Sequence, residues 1–359
     1  MRHRNLAVLA LGAATLSLPT QAVDIGVNIH RGGSWGENRS TNDQFVQVMK
    51  NRNLKSARLD LVAGEEWLYP SIRDQIIKLN AAGITKNEIV VMTSYHFGQC
   101  GSFSNDLAFI EQDSYNKTFQ MVGQFKDIIH DFEMLNEVQL RGDFQADVPV
   151  NSAGQSSAPY YNKPCVAKVT AAIKGMSRAI RDQGQKSIVG VLGRDTGYLK
   201  FLQEQGIHWD YTGYHTYPYL SNQNFWSDTW YGSGGILQSL SAFGKKIRIN
   251  EFNCGEHYNG YENQDGAPQT ETCLKVQARD FKALRAHPLA GNVEMVHVYE
   301  MVDHPTWGGA EGMFGMHYDI GRIKVYGMLV TAFAGGNLSS AERGEITRRG
   351  LLTDAEIDA

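Results

Sequence analysis

The feature that most constrains the fold is an alternation of short apolar runs with longer helical stretches, which repeats along most of the chain. The runs predicted to be strands cover residues 24–30, 55–61, 88–94, 131–137, 187–192, 210–215, 246–251 and 293–299. The stretches predicted to be helices cover residues 42–51, 65–82, 112–130, 164–184, 195–205, 270–287 and 323–333. Strands this apolar, separated by helices, indicate a parallel sheet that is covered on both faces.

Eight such units in a chain of 359 residues match the scale of a (β/α)8 TIM barrel. A doubly wound open sheet is the alternative, and it usually carries a glycine-rich phosphate loop after its first strand. Here Arg31-Gly32-Gly33-Ser34 follows that strand without the GxGxxG spacing. We therefore predict one barrel over residues 23–338. The charged tail, residues 339–359, is predicted to be an extra surface helix or a frayed end without an assigned function.

The N-terminus has the layout of a secretory signal peptide. Arg2, His3 and Arg4 precede an apolar stretch at residues 6–18, which is too short for an ordinary membrane-spanning helix, and a small residue, Ala22, ends the segment. We predict cleavage after residue 22, in preference to an uncleaved membrane anchor. The mature protein is expected to be secreted or periplasmic and to have no membrane span.

Export changes the interpretation of the four cysteines, which are Cys100, Cys165, Cys254 and Cys273. Exported proteins commonly form disulfides, and four cysteines allow three connectivities. Metal ligation is the competing interpretation, but none of the four cysteines belongs to a CxxC pair. If chain order decides the pairing, the disulfides are Cys100–Cys165 and Cys254–Cys273.

The composition limits the classes of molecule that the protein can bind. A formal net charge of −4 gives no sign of the basic face that a nucleic-acid-binding protein needs. An apolar fraction of 42% with 20% charged residues fits a soluble globular chain. We expect a monomer without a cofactor or a metal.

Polar residues recur where the predicted strands end, and in a barrel these ends face one catalytic mouth. They are His30, Arg31, Arg58, Asp60, Tyr95, His96, Asn136, Glu137, His215, Tyr217, Glu251, Tyr299 and Glu300. No packing requirement explains this set.

Two of these residues are carboxylates on strands that lie across the barrel from each other. Glu137 ends the fourth strand and Glu251 ends the seventh, so their side chains can approach to about 5 Å, the separation found in retaining glycosidases. In such a site one carboxyl must be protonated. The other must stay ionised, which donors such as Arg58 and Tyr217 would favour.

The motifs around both glutamates resemble the catalytic strands of clan A glycoside hydrolases, the (β/α)8 group that includes families 5 and 39. "MLNEVQL" resembles the strand-four motif and "IRINEFNCG" the strand-seven motif. "ARLDL" is similar to the strand that carries the clan's arginine, and "GYHTYP" to its His-x-Tyr strand. Residues 298–329 are similar to the closing segment of family 39-like members, although Tyr299 stands where many clan members have Trp.

The resemblance implies a role for each matching residue. Glu137 is expected to be the acid/base and Glu251 the nucleophile, while Asn136 would bind the 2-hydroxyl of the sugar. The other expected contacts are Arg58 and Tyr217, which orient Glu251, and His96, His215, Tyr299 and Trp307, which bind substrate.

We therefore expect a retaining, endo-acting glycoside hydrolase for a polysaccharide or exopolysaccharide. Long loops after strands four, six and seven, including residues 139–163 and 252–269, favour an open groove. A barrel that binds polysaccharide without cleaving it is one alternative. A metal-dependent barrel hydrolase that uses His30, His96, His215 and His297 ranks last, because no His-x-His motif ends the first strand.

Overall fold

The computed structural model describes residues 23–31, 39–150, 152, 154–222, 225–256, 268–304, 306–307 and 309–358. The predicted signal peptide, residues 1–22, lies outside the described residues. So do residues 32–34 of the first loop and most of the loop at 252–269.

The eight strands close into one parallel barrel, as the alternation predicted. They are β1 Asp24–Ile29, β2 Ala57–Val62, β3 Glu88–Met92, β4 Asp131–Met134, β5 Lys186–Leu192, β6 Tyr211–Thr216, β7 Lys246–Phe252 and β8 Val293–Val298. Each strand pairs in parallel with the next, and β1 also pairs with β8, which completes the ring. The predicted (β/α)8 fold is confirmed.

Helices follow the strands and cover the outside of the barrel. They are α1 Asn42–Asn51, α2 Tyr69–Ala81, α3 Ser94–Phe97, α4 Leu107–Gly123, α5 Gly142–Asp147, α6 Pro164–Asp182, α7 Thr196–Glu204, α8 Gly235–Ser241, α9 Pro268–Ala286, α10 Val325–Phe333, α11 Ser340–Arg348 and α12 Asp354–Ile357. A two-stranded ribbon, β9 His317–Asp319 with β10 Arg322–Ile323, lies between β8 and α10. In the described part of the chain, no helix combines the length and the apolar character that crossing a membrane requires.

Several elements differ from the sequence prediction. The helix predicted at 112–130 begins earlier, at Leu107, because the Asp106 side chain caps it by accepting the backbone N–H groups of Ala108 and Phe109. The short helix α8 was not predicted, since it follows a glycine-rich turn. In the tail, capping boxes at Ser339 and Thr353 begin α11 and α12.

The barrel interior is unusually polar. Arg248 of β7 donates to Glu88 at 3.0 Å, to Asp131 at 2.6 Å and to Glu294 at 3.0 Å. Burial raises the pKa of Glu88 to about 7, although Arg248 opposes the shift. Barrel centres are usually filled by branched apolar side chains. Here paired charges replace part of that filling near the N-terminal ends of the strands, where Glu88 begins β3 and Asp131 begins β4.

Two disulfides fix the loops above the barrel. Cys100, after β3, bonds to Cys165 of α6, and Cys254, after β7, bonds to Cys273 of α9. The pairing expected from chain order is confirmed.

We predict that the purified protein contains both bonds and no free thiol, because the paired Cα atoms lie 5.3 and 5.5 Å apart, within bridging range. Peptide mapping of a non-reduced digest should find the 100–165 and 254–273 peptides linked, and a reduced digest should separate them. Thiol labelling of the unfolded, unreduced protein at any cysteine would contradict the pairing.

Candidate active site

The carboxyl ends of the strands surround one cavity of about 950 Å³. Its lining includes most of the residues that the sequence analysis selected: Arg58, Asn136, Glu137, His215, Tyr217, Glu251, Tyr299 and Trp307. His96 does not line it. The half-buried His96 ring packs edge-on against Phe97, and Phe97 faces the cavity instead.

The backbone after β4 turns sharply, which determines where Glu137 lies. The strand ends at Met134, three residues earlier than predicted, because Leu135 and Glu137 adopt positive φ values of 62° and 40°. Residues other than glycine rarely adopt this region, and such conformations cluster at functional sites. The turn leaves Asn136 and Glu137 at the cavity wall, with the Leu140 N–H donating to the Glu137 carbonyl at 2.8 Å.

Glu251 is buried at the end of β7 and is held from two sides. Arg58 Nη1 donates to its Oε1 at 3.1 Å, and the Tyr217 hydroxyl donates to its Oε2 at 2.6 Å. Both donors favour the ionised carboxylate, and both are the residues that the resemblance selected for this position.

His215 joins the two glutamates. Its Nδ1 lies 3.0 Å from Oε1 of Glu137 and 3.3 Å from Oε1 of Glu251, and the three ligand atoms lie within 4.8 Å of one another. This spacing resembles the roughly 5–5.5 Å separation of a retaining pair and falls short of the ~6.5–9.5 Å of an inverting pair.

Arg58 connects the site to the barrel interior. It is almost fully buried, and its Nε donates to Glu133 at 2.7 Å. Nη1 also donates to Asn28 at 2.8 Å, and Nη2 donates to Asn136 at 2.7 Å. Burial opposes the charge on Arg58, but Glu133 and Glu251 outweigh that cost and raise its pKa above the ordinary value.

The buried charges determine the protonation states of His215 and Glu133, which lie next to Glu137 and Glu251. Burial disfavours a charged His215, yet the charge of Glu251 and hydrogen bonds with Glu133 and Glu137 raise its pKa to about 10. Burial likewise acts against a charged Glu133, but Arg58 and His215 lower its pKa to about 2. Near neutral pH, Arg58 and His215 are therefore cations and Glu133 is an anion.

The pKa of Glu251 is raised, chiefly by burial and further by the negative charge of Glu137, while His215 and Arg58 oppose the shift. The sequence analysis expected donors such as Arg58 and Tyr217 to keep this carboxylate ionised. The structure adds two influences that oppose them, burial and the negative charge of Glu137.

Among the described residues that line the cavity, Glu137, His215 and Glu251 form the cluster that could hold a metal ion. Protonated His215 offers no lone pair, so a cation would first have to displace that proton. Among the described residues, His30, His96 and His297 do not join His215 in any such cluster. His297 instead lies inside the barrel, with Nε2 2.7 Å from the Ser56 hydroxyl.

Several residues of the site were missed by sequence reasoning. Asn28 and Glu133 lie within strands and accept hydrogen bonds from Arg58. The sequence signal that could have identified them is a polar residue inside an otherwise apolar strand. His30 and Asp60 were predicted to lie at the mouth, and His30 was a ligand in the metal alternative, but the hydrogen-bonded pair that they form in the cavity lining was not predicted. Burial opposes protonation of His30, but Asp60 outweighs it and raises the pKa to about 9.

Comparison with known proteins gives matches at the level of structure only. No protein-family model matches the sequence, and no curated protein matches it. A family 1 β-glucosidase from Thermotoga maritima has a TM-score of 0.60 at 11% identity, over 88% of this chain and 98% of that one. A β-glucosidase from Exiguobacterium marinum has a TM-score of 0.56 at 10% identity, over 89% of this chain and 99% of that one. The chain shares its barrel fold with these proteins.

A third similar structure is larger. A calcium binding mutant of Bacteroides uniformis β-glucuronidase 2 has a TM-score of 0.54 at 12% identity, over 86% of this chain. The chain spans only 34% of the length of that protein. At identities this low, all three similarities establish the fold alone.

We predict that protonated His215 stabilises the fold and that this contribution depends on pH. Because its folded pKa of about 10 exceeds the ordinary 6.5, the stabilisation is complete below about pH 6.5 and is lost as pH rises through 10. The complete loss should be at most ~5 kcal/mol, since one pKa unit corresponds to ~1.4 kcal/mol. Urea denaturation at pH 6.5 and 10 measures it.

His215→Gln should lose less stability than the wild type over this interval. His208→Gln, at an exposed surface histidine, serves as the matched control and should behave like the wild type. Equal pH dependence in all three proteins would show that His215 is not charged in the folded state.

Proposed function

We propose that this chain is a retaining glycoside hydrolase that cleaves a polysaccharide or exopolysaccharide internally, with Glu137 as acid/base and Glu251 as nucleophile. The observation that carries the proposal is the pair of carboxylates within 4.8 Å, both contacted by His215 at the mouth of a (β/α)8 barrel. The β-glucosidases and the β-glucuronidase with similar folds are consistent with this chemistry.

In the first step, Glu251 attacks the anomeric carbon of the sugar and forms a covalent glycosyl ester. Glu137 gives its proton to the glycosidic oxygen, so the bond to the leaving group breaks without expelling an alkoxide. The Arg58 and Tyr217 donors hold the attacking carboxylate, and the contact of Arg58 with Asn136 orients the amide that would bind the 2-hydroxyl.

In the second step, ionised Glu137 takes a proton from water, and the resulting hydroxide displaces Glu251 from the anomeric carbon. The effect of Glu137 on Glu251 suits this sequence. While Glu137 carries the proton that it will donate, its negative charge does not raise the pKa of Glu251, so the nucleophile ionises more readily. Once that proton has left with the departing group, Glu137 is the base that activates water.

The sugar that is attacked would lie against the side of the cavity formed by β1, β2 and β8. His30 and Asp60 offer polar groups there, and Tyr299 and Trp307 offer aromatic surface. The Trp307 ring is held by stacking on His304, with the ring centroids 4.3 Å apart. Because Trp307 lies in the loop after β8, it supplies an indole near the position where many clan A members have a strand-end Trp.

An internal mode of cleavage is supported by the size of the cavity. A volume of about 950 Å³ lies at the upper end of the ~300–1,000 Å³ usual for ligand sites, more than one sugar ring needs. We further propose that the enzyme is a monomer that acts outside the cytoplasm, after removal of residues 1–22. The two disulfides support export, because such bonds persist in oxidising compartments.

The experiment that tests the proposal compares Glu137→Ala with Glu251→Gln on polysaccharides and on 4-nitrophenyl α- and β-glycosides. Glu251→Gln should lose about a thousandfold or more of both activities, since no nucleophile remains. Glu137→Ala should lose polysaccharide cleavage yet still release nitrophenol, a leaving group that needs no proton. Azide should then accelerate its turnover by attacking the glycosyl ester.

Glu204→Gln, at an exposed glutamate that ends α7, is the matched control and should keep full activity. If Glu251→Gln retains activity within about tenfold of the wild type, the nucleophile assignment is wrong. Polysaccharide binding by the wild type without cleavage of any substrate would favour a binding barrel.

A further inference from the structure

The lining of the cavity is divided by the two glutamates into halves of different character. On the side of β1, β2 and β8, the titratable groups of His30, Asp60 and Glu311 lie beside the rings of Tyr299 and Trp307. On the side of β3 to β6 the lining is mainly apolar, with Phe97, Leu140, Leu192, Tyr219 and Trp230. This second half, which we call the aromatic half, has no role in the chemistry derived above.

The aromatic half exposes large apolar side chains to the cavity. The exposed fractions are 59% for Phe97, 45% for Leu140, 36% for Tyr219 and 42% for Trp230. A soluble protein rarely exposes such side chains together unless the surface binds a ligand or a partner.

Trp230 is held in place by contacts on several sides. It lies in a single helical turn, Thr229–Tyr231, where the Asp228 side chain accepts its backbone N–H at 2.9 Å. The Arg194 guanidinium covers one face of the indole, 4.8 Å from the ring centroid. The Tyr231 ring packs against it nearly perpendicularly, with centroids 4.7 Å apart. The indole is therefore fixed before any ligand arrives, which lowers the entropy lost on binding.

The position of Glu137 indicates which part of the substrate would contact the aromatic half. Under the proposed mechanism, the oxygen that Glu137 protonates belongs to the leaving group. Leu140 lies one turn after Glu137, and Phe97 follows the neighbouring strand β3, so both flank the path of departure. Asn222 and Asp228 line the same region and add polar groups among the apolar ones.

We propose that Trp230 is a specificity-determining residue that binds a sugar ring of the leaving group, with Phe97 on the opposite wall. A pyranose presents an apolar face of C–H groups and a rim of hydroxyls, which matches a fixed indole next to Asn222 and Asp228. The inference rests on the proposed function and adds the substrate class to it. The enzyme prefers a glycan chain over a glycoside with a small or purely apolar leaving group.

The test attaches three different leaving groups to the same sugar. That sugar is the one whose 4-nitrophenyl glycoside the wild type hydrolyses fastest. The probes are the 4-nitrophenyl glycoside, the octyl glycoside and a linear tetrasaccharide of that sugar. Trp230→Ala should lower kcat/KM for the tetrasaccharide about tenfold more than for the nitrophenyl glycoside, the usual size of one lost aromatic contact. Trp230→Phe should restore part of the difference, since it keeps a ring.

Trp67→Ala is the matched control, because Trp67 is 67% exposed but does not line the cavity, and it should leave all three substrates unaffected. Equal losses on all probes for Trp230→Ala would show a structural role and overturn the proposal. A selective loss on the octyl glycoside would overturn it in favour of an apolar leaving group. If Trp230→Ala matches the wild type while Glu251→Gln is inactive, only the sugar-binding role fails. If the wild type cleaves neither these probes nor any polysaccharide, the proposed function fails with it.

Discussion

The buried guanidinium of Arg58 is the interaction on which the rest of the site depends. Arg58 belongs to β2 and donates hydrogen bonds to three other strands, at Asn28 of β1, Glu133 of β4 and Glu251 of β7. Removing one partner of a buried ion pair typically costs ~3–5 kcal/mol, because the other charge is left unpaired in a poorly solvated place. The barrel tolerates buried carboxylates here because Arg58 and His215 supply matching positive charge.

The same cations link the fold to the proposed chemistry. Arg58 contacts both Glu251 and Asn136, so a shift of this side chain would misplace the attacking group and the amide beside it together. His215 contacts Glu137, Glu251 and Glu133, and these three carboxyls together raise the pKa of His215. Arg58 and His215 are therefore positioning residues. They act on the reaction through the side chains of Glu137, Glu251 and Asn136, which they contact.

The sequence predicted the barrel and the proximity of the two glutamate side chains for a physical reason. Apolar strands that alternate with helices have few ways to bury both faces of a sheet, and in a barrel the strand ends must meet at one mouth. Glu137 and Glu251 could therefore be paired although 114 residues separate 137 from 251.

What the sequence could not show depended on the local backbone or on three-dimensional partners. The short turn α3 directs Phe97 rather than His96 to the cavity, and no periodicity distinguishes two adjacent residues in so short an element. Glu133 looked like part of an ordinary strand because its partners, Arg58 and Asn250, come from distant strands. The raised pKa of Glu251 arises from burial and from Glu137, so it follows only from the folded arrangement.

The central claim is that Glu137 and Glu251 are close enough for a covalent glycosyl intermediate. Proton NMR of the first product released from a glycan of known linkage tests this most directly, because two successive displacements restore the anomeric configuration. The account predicts that the newly formed reducing end has the configuration of the bond that was cleaved. A first product of the opposite configuration would contradict it, even if both glutamates proved essential.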